Sequence, residues 1–210
     1  MGRYDASAGR EGEMEPGSRG VLRNRLGIKR KKEIDQVEFE HLLAAQELWL
    51  NRVDRPTVFS AGMLCQMHED WLGRIYDWAG RYRTVEVSKG GFVWPPARLV
   101  AQNMANFEHG VLRRYTPCHP GEVKDVARRI AIVHAELLLV HPFRDGNGRL
   151  ARWLADLMFL QAGYTTPNYG FIGPGSRHRR AQYLAGVQRG YLQDYRLLAD
   201  FFAEALARRL

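Results

Sequence analysis

Apolar side chains recur every three or four residues along most of this chain, a spacing that gathers them on one face of an α-helix. The spacing is clearest over residues 121–140, where the apolar positions are Val126, Ile130, Val133, Leu137 and Val140. Similar stretches predict further helices over about 32–50, 57–75, 97–115, 149–162, 177–188 and 192–208. Thr57 is the predicted N-cap of the helix over 57–75. The chain is therefore predicted to be mainly α.

One segment alternates apolar and polar residues instead, which is typical of β-strands. Residues 84–87 form one alternating run, and residues 92–94 form a second run that is closed by Pro95 and Pro96. The sequence SKGG at 88–91 has the composition of a turn. These features predict one β-hairpin that lies on the surrounding helices, because an isolated hairpin is only marginally stable.

The domain organisation follows from glycine content and length. The first twenty residues hold five glycines and few apolar side chains, which predicts a flexible N-terminal tail over residues 1–20. Residues 21–210 have the length of one compact domain, which buries about 70% of the surface that its unfolded chain exposes. We find no internal repeat, so a single domain is predicted after the tail.

Composition excludes several classes of protein. The chain is 45% apolar and 26% charged, which excludes disordered, collagen-like and fibrous proteins. No apolar run approaches the roughly 20 residues of a membrane-spanning helix, and the N-terminus lacks the apolar core of a secretory signal. The two cysteines, Cys65 and Cys118, show no metal-ligand spacing and are too few for a disulfide framework. We therefore expect a cytoplasmic protein without a membrane partner.

The formal net charge of +8 favours polyanionic partners such as nucleic acid or nucleotide phosphates. Basic residues cluster over 23–32 and again over 177–180, although a solvated face is the simpler interpretation of both. A basic, nucleic-acid-binding helical protein is the alternative from another class. It would need a helix rich in exposed Arg and Lys together with base-reading side chains, which neither cluster clearly provides, so no nucleic acid partner is expected.

The segment most informative about chemistry reads HPFRDGNGR over residues 141–149 and continues to Arg152. An Asp-Gly-Asn-Gly sequence forms a turn whatever the function, but a turn needs neither a histidine nor two arginines. Gly146 and Gly148 allow successive N–H groups to form an anion-binding nest, to which the start of the following helix adds its dipole. Arg149 and Arg152 share one helical face and offer forked donors to phosphate oxygens.

Two further residues of this segment suggest a reaction. Asp145 is a hard carboxylate suited to Mg²⁺, which usually binds one or two carboxylates together with substrate phosphates. His141 is the one group here that can accept a proton near neutral pH. Phosphoryl or nucleotidyl transfer needs an anion-binding nest, cationic side chains, a carboxylate for a metal ion and a base, and this segment contains all four. Neither a Walker A pattern nor G-x-G-x-x-G occurs in the sequence.

The other histidines carry weaker signals. His134 shares a helical face with His141, and we interpret it as a satisfied core residue rather than a ligand. His68, His109 and His119 have no partner in the sequence and are expected at the surface.

The segment over 141–152 resembles the signature of the Fic family, H-P-F-x-[DE]-G-N-G-R-x-x-R, at every specified position. Residues 78–83 and the hairpin resemble the family's segment leading into its flap, residues 16–28 its N-terminal extension, and residues 183–195 the helix that closes its nucleotide pocket. The likeness covers most of residues 16–208. It implies a Fic-type helical bundle with one β-hairpin flap and an N-terminal helical extension.

The resemblance implies a protein adenylyltransferase, which transfers AMP from ATP to a Tyr, Thr or Ser hydroxyl of a target protein with Mg²⁺. By motif position, His141 would be the general base and Asp145 the magnesium ligand. The residues implied to bind ATP are Gly146, Asn147, Gly148, Arg149, Arg152 and Tyr183, with Lys89 and Gly90 at the tip of the flap. An ordinary exposed turn lysine is an equally good interpretation of Lys89.

The group that is transferred stays an open question at this point. Gly148 matches the adenylyl-transferring form of the motif rather than the phosphate-transferring form of the Doc-like members, but transfer of UMP or phosphocholine is a further alternative. The flap would receive a target segment as an added strand.

Regulation is also suggested by the resemblance. Many members are inhibited by a glutamate from an [ST]-x-x-x-E-[GN] helix that pairs with the second motif arginine, here Arg152. Ser7, Glu11 and Gly12 fit these letters, but they lie in the glycine-rich tail and we interpret the match as chance. No Ser or Thr follows Ser176, which excludes a C-terminal version. A separate small antitoxin, with this chain as the toxin, is the remaining option.

Overall fold

A computed structural model of the chain describes residues 5–6 and 9–208. The chain divides into two compact units. The first comprises the described residues of Met1–Arg52, Ser60–Ala105 and Val140–Leu150, and the second comprises Val53–Phe59, Asn106–Leu139 and the described residues of Ala151–Leu210. Both units are mainly helical, which confirms the predicted fold class. None of the helices in the described part of the chain combines the length and the apolar character needed to span a bilayer.

The helices are α1 (Lys31–Leu50), α2 (Ala61–Leu72), α3 (Val100–Phe107), α4 (Arg113–Tyr115), α5 (Val123–Val140), α6 (Asn147–Gln161), α7 (Ser176–Gly190) and α8 (Arg196–Ala207). The helix predicted over 97–115 is divided, because a π-helical turn at Glu108–Leu112 separates α3 from α4. The other predicted helices are present, with ends that differ by a few residues.

The start of α2 differs from the prediction. Ser60 is the N-cap, since its side-chain oxygen accepts a hydrogen bond from the N–H of Met63 at 3.1 Å. Thr57, the predicted N-cap, instead accepts a hydrogen bond from the N–H of Asp54 and closes a turn within the preceding loop. Both residues are chemically suitable caps. Because Thr57 is part of the turn at 54–57, Ser60 caps the helix, which begins at Ala61.

In the first unit, α1 packs against α2. The buried residues of α1 include Ile34, Ala45 and Trp49, while other apolar side chains of this helix, such as Phe39 and Leu43, are exposed. A hairpin is present as predicted, but its strands are β2 (Val87–Lys89) and β3 (Phe92–Val93). Of the first strand predicted over 84–87, only Val87 lies in a strand, and residues 84–86 precede it. The turn of the hairpin is confined to Gly90 and Gly91, which have φ angles of 58° and 82°, so Ser88 and Lys89 belong to a strand rather than to the predicted turn.

A third strand, β1 (Asp5–Ala6), completes an antiparallel sheet of order β1-β2-β3. Its register places Ala6 opposite Val87. Val85, Val87 and Trp94 form a buried cluster against which Ala6 packs. The strand was not predicted for two reasons. The region is rich in glycine, and its pairing partner lies some eighty residues further along the chain.

The described residues around position 20 also have defined contacts. Met14 and Leu22 form an antiparallel bridge, and the N–H of Glu15 donates to the carbonyl of Val21 at 2.8 Å. Val21 and Leu22 are fully buried. The division into a tail over 1–20 and one domain over 21–210 stays a prediction.

In the second unit, the apolar face predicted over 121–140 is buried in α5. α7 packs against α8, and the core there includes Val187, Leu198, Phe201 and Phe202. α6 begins in the first unit and ends in the second.

Candidate active site

The loop between α5 and α6 is closed by one amide side chain. Asn147 accepts a hydrogen bond from the N–H of Phe143 at 2.9 Å and donates one to the carbonyl of the same residue at 2.7 Å. At the start of the loop, His141 has a φ of 52°, a left-handed conformation that residues other than glycine seldom adopt. The backbone of the loop is therefore held in an uncommon shape by its own sequence.

Gly146 has a backbone conformation and close neighbours that leave no room for a side chain. Its φ is 85°, and a Cβ atom there would lie 2.9 Å from a ring carbon of Trp71 and 3.2 Å from Nε2 of His68. The following N–H groups, those of Asn147 and Gly148, belong to the first turn of α6, where the helix itself supplies no acceptors. The turn thus presents backbone donors and the positive end of a helix dipole, which are the features of an anion site.

His68 is a loop-supporting residue that the sequence interpretation placed wrongly at the surface. It is fully buried and stacks on Phe143 with ring centroids 4.0 Å apart. Its Nδ1 accepts the N–H of Gly80 at 2.9 Å, so Nε2 carries the proton and donates to the carbonyl of Asp145 at 3.1 Å. Burial lowers the pKa of His68 to about 4, which keeps the ring neutral.

A signal for the position of His68 exists in the sequence. Leu64, His68 and Trp71 recur at helical spacing, and all three are buried on one face of α2.

Arg83 is a second supporting residue that the sequence interpretation missed. It is buried, and its guanidinium donates to the carbonyls of His141 at 2.8 Å, Val85 at 3.0 Å and Pro95 at 2.6 Å. Its own N–H donates to the carbonyl of Pro142 at 2.8 Å. One side chain thereby joins the start of the motif loop to both flanks of the hairpin.

The candidate base lies between these two elements. The side chain of His141 is buried, and its ring lies 4.1 Å from the indole of Trp94. Trp94 follows β3 directly, so the hairpin supports the imidazole from one side.

Two charged groups of the motif, Asp145 and Arg149, meet in the first unit. Nη2 of Arg149 lies 3.7 Å from the carboxylate of Asp145, whose Oδ1 also accepts the N–H of Gly146 at 2.6 Å. Burial lowers the pKa of Lys89, at the end of β2, and the negative charge of Asp145 acts in the opposite direction. Gly90 follows Lys89 at the hairpin turn, with open space around it.

The residues present fit a magnesium ion. Within the described ranges, no group of three or more His, Cys, Asp or Glu side chains is arranged to hold a metal. Asp145 is a single carboxylate with a 13% exposed side chain beside the anion site. Mg²⁺ is commonly held in this way, by one or two carboxylates and the phosphates of a substrate.

Arg152 and Tyr183 lie together in the second unit. The guanidinium carbon of Arg152 is 5.7 Å from the ring centroid of Tyr183 and 5.5 Å from that of Phe171. The hydroxyl of Tyr183 bonds Nε2 of His134 at 2.7 Å, while Nδ1 of that histidine bonds the carbonyl of Ala151 at 3.0 Å.

Because a carbonyl only accepts, Nδ1 of His134 is the donor and Nε2 accepts from Tyr183. Burial lowers the pKa of His134 to about 3, so the ring is neutral. The interpretation of His134 as a satisfied core residue is confirmed.

A half-buried carboxyl group beside Arg152 was not predicted. Asp156 accepts the hydroxyl of Tyr169 at 2.6 Å, and burial raises the pKa of Asp156 to about 7. Tyr169 and the positive charge of Arg152 act in the opposite direction and favour the carboxylate.

The predicted site residues therefore fall into two groups. The first unit holds His141, Asp145, Gly146, Asn147, Gly148, Arg149, Lys89 and Gly90, and the second holds Arg152 and Tyr183.

Glu11 has partners in the first unit. Its carboxylate accepts the N–H of Thr84 at 3.1 Å and the hydroxyl of Thr84 at 3.0 Å, and its carbonyl accepts Nε of Arg144 at 3.0 Å. It lies in a 3₁₀ turn, Arg10–Gly12, rather than in an α-helix. Ser7, the first letter of the inhibitory pattern, lies outside the described residues. A chance match stays our interpretation of this pattern.

Comparison with known proteins identifies the domain. The family whose profile matches the chain is described as the Fic/DOC family, and the match covers residues 58–159. The probable protein adenylyltransferase Fic of Salmonella typhimurium is 29% identical over 164 residues, which are 74% of this chain and 76% of that protein. The protein adenylyltransferase VbhT of Bartonella schoenbuchensis is 28% identical over 154 residues, or 69% of this chain and 30% of that protein.

The chain thus spans less than a third of the length of VbhT. Among solved structures, the Bartonella tribocorum effector BepC with bound AMPPNP is similar in fold, with a TM-score of 0.73 and 20% identity over 91% of this chain and 94% of that chain. Fic-1 of C. elegans is 26% identical, with a TM-score of 0.59 over 80% of this chain and 47% of that chain.

Proposed function

Because this chain belongs to the Fic/DOC family, we propose that it is a protein adenylyltransferase, which transfers AMP from ATP to a Tyr, Thr or Ser hydroxyl of a target protein. The observation that carries the proposal is the closed loop over 141–149, in which one turn holds a histidine, a carboxylate and the start of a helix. The relatives named protein adenylyltransferases support the same reaction.

His141 would act as the general base. It would take the proton of the target hydroxyl while the hydroxyl oxygen forms a bond to the α-phosphorus of ATP. The bond between that phosphorus and the bridging oxygen to the β-phosphorus breaks, and pyrophosphate leaves. The contact with Trp94 and the bond from Arg83 to the carbonyl of His141 orient the imidazole for this task.

ATP would be held by backbone and side chains together. Asn147 and Gly148 would offer backbone N–H groups, since the side chain of Asn147 is engaged with Phe143. Arg149 and Arg152 would bind the outer phosphates.

The remaining contacts to ATP would come from the loop, the hairpin and the second unit. Gly146 would give the turn its curvature. Tyr183 would line the adenine pocket, and Lys89 with Gly90 would approach the nucleotide from the hairpin. Asp145 would hold Mg²⁺, which when bound neutralises charge that develops on the phosphates.

The partners of this site follow from the same proposal. A target segment would add to the hairpin as an extended strand. A small antitoxin that supplies an inhibitory glutamate to Arg152 would make the chain the toxin of a pair. Cys65 and Cys118 are free thiols, which supports a reducing, cytoplasmic environment.

Labelled ATP distinguishes adenylyl transfer from its alternatives. The protein is incubated with Mg²⁺, a lysate and ATP labelled on either the α- or the γ-phosphate, and the labelled protein is identified by mass spectrometry. We expect transfer of the α-label with an AMP adduct, and none with the matched variant His141→Ala. Transfer of the γ-label alone would indicate a phosphate-transferring enzyme and contradict the proposal, whereas UMP or phosphocholine transfer would leave both ATP labels untransferred.

A further inference from the structure

A buried carboxylate lies outside the motif but contacts it. Glu38 is in the middle of α1 and is 1% exposed. Its side chain accepts a hydrogen bond from the hydroxyl of Tyr76 at 2.5 Å and one from Nη1 of Arg149 at 2.6 Å. An isolated charge would be strongly disfavoured at this depth, and these two donors offset part of that cost.

The same ion pair fixes the plane of Arg149. The guanidinium lies over the indole of Trp71, 4.5 Å from the ring centroid. Nη1 is bound to Glu38 and Nη2 is directed toward Asp145 at 3.7 Å. A carboxylate, an aromatic face and a second carboxylate therefore define the orientation of one arginine. An arginine carries five N–H donors, more than these contacts use.

A stabilising role alone accounts poorly for this arrangement. A buried ion pair is weak support for a fold, because apolar side chains of similar volume stabilise a core as well or better. The neighbours of Glu38 on the buried face of α1 are apolar, namely Ile34, Ala45 and Trp49. The carboxylate is the exception on that face, and it is directed at the motif arginine.

We propose that Glu38 is a positioning residue for nucleotide binding, which holds Arg149 in the orientation that receives the outer phosphates of ATP beside Asp145. This inference rests on the proposed function, since it needs Arg149 to contact those phosphates. A guanidinium that is already oriented loses less conformational freedom when the ligand binds, so the benefit appears in affinity. Tyr76 holds the carboxylate in turn through its hydroxyl.

The test compares nucleotides with and without outer phosphates. Calorimetry with the full chain and Mg²⁺ measures binding of ATP and of AMP to the wild type and to Glu38→Gln, which removes the charge but keeps the shape. We expect ATP binding to weaken about tenfold, as for a displaced charge-assisted hydrogen bond, and AMP binding to change less than about twofold. Glu47→Gln, an exposed substitution in the same helix, is the matched control and leaves both affinities unchanged.

A double-substitution cycle separates positioning from structure. Arg149→Ala alone weakens ATP binding, and Glu38→Gln adds no further loss in that background if it acts through the arginine. Tyr76→Phe removes only one donor to Glu38, so it should weaken ATP binding less than Glu38→Gln and again leave AMP binding nearly unchanged. It replaces Glu38→Gln in the test if that variant does not fold.

Three results would overturn the inference. Equal ATP affinity of the wild type and the folded variants overturns the positioning role alone, and so does a parallel loss of ATP and AMP binding, which indicates general damage to the fold. A wild-type protein that binds no ATP overturns the proposed function as well.

Discussion

Several residues that matter most to the candidate site hold its backbone instead of offering groups to a substrate. Asn147 and His68 each fix the loop through hydrogen bonds to main-chain atoms, and Gly146 makes room for it against Trp71. His141 is different in kind, because its proposed role is in the reaction itself. Substitutions at these positions should therefore separate chemistry from loop geometry.

His141→Ala should abolish transfer of AMP and leave ATP affinity near that of the wild type, because the imidazole acts on the nucleophile and not on the phosphates. Transfer is measured with α-labelled ATP and affinity by calorimetry. A fall in affinity as large as the fall in rate would contradict the role of general base.

Gly146→Ala should destabilise the fold more than Gly163→Ala. The two glycines have φ angles of 85° and 86°, so both substitutions force alanine into the same unfavourable backbone conformation. Only at position 146 does the new Cβ also meet side chains, at 2.9 Å from Trp71, while nothing lies within 4 Å at position 163. The extra destabilisation should be about 1–3 kcal/mol in urea unfolding, and equal losses would contradict the close fit.

His68 should make the fold less stable in mild acid. Its pKa is lowered from 6.5 to about 4, so the unfolded chain binds a proton below pH 6.5 that the folded chain does not. The free energy of unfolding is therefore unaffected by protonation of His68 above about pH 6.5. It falls by about 3 kcal/mol as the pH is lowered from 6.5 toward 4.

The control for this prediction is His68→Gln. Unfolding free energies at pH 7 and pH 5 should differ more for the wild type than for the variant. His134, with its pKa near 3, adds a similar slope to both proteins, and Asp156, with its pKa raised to about 7, adds an opposite one, so only the difference between the two proteins reports on His68. The same slope in both proteins would show that His68 is not buried in its neutral form.

At the scale of elements, the helices and the motif loop could be predicted from the sequence, whereas contacts between residues far apart in the chain could not. The 3.6-residue spacing of apolar side chains located the helices, and the match of residues 141–152 to a signature located the motif loop. β1 was missed because its pairing residues lie far along the chain. Arg83 and Glu38 were missed for the same reason, since their acceptor and donor in the motif are 58 and 111 positions away.

For the whole molecule, the main functional question is whether the chain inhibits itself. Glu11 contacts Thr84 through both carboxylate oxygens and lies in a short 3₁₀ turn. These contacts are those of a residue that ties an N-terminal segment to the base of the hairpin.

Glu11→Gly should therefore leave the rate of adenylylation within about twofold of the wild type, as is usual for substitutions away from a site. Thr84→Ala removes the hydroxyl partner and is the matched control, with the same small effect. Adenylylation is measured with α-labelled ATP and a fixed amount of target. A several-fold activation by Glu11→Gly alone would show that the chain carries its own inhibitor.

The contacts of Arg83 have a consequence for motion. Because one guanidinium binds the carbonyls of His141, Val85 and Pro95, the loop and the hairpin cannot open separately without leaving buried carbonyls unpaired. Backbone amides of both elements should accordingly exchange with deuterium through a single shared opening, with similar protection and a common response to denaturant. A target strand that docks on the hairpin would then slow exchange in the motif loop as well.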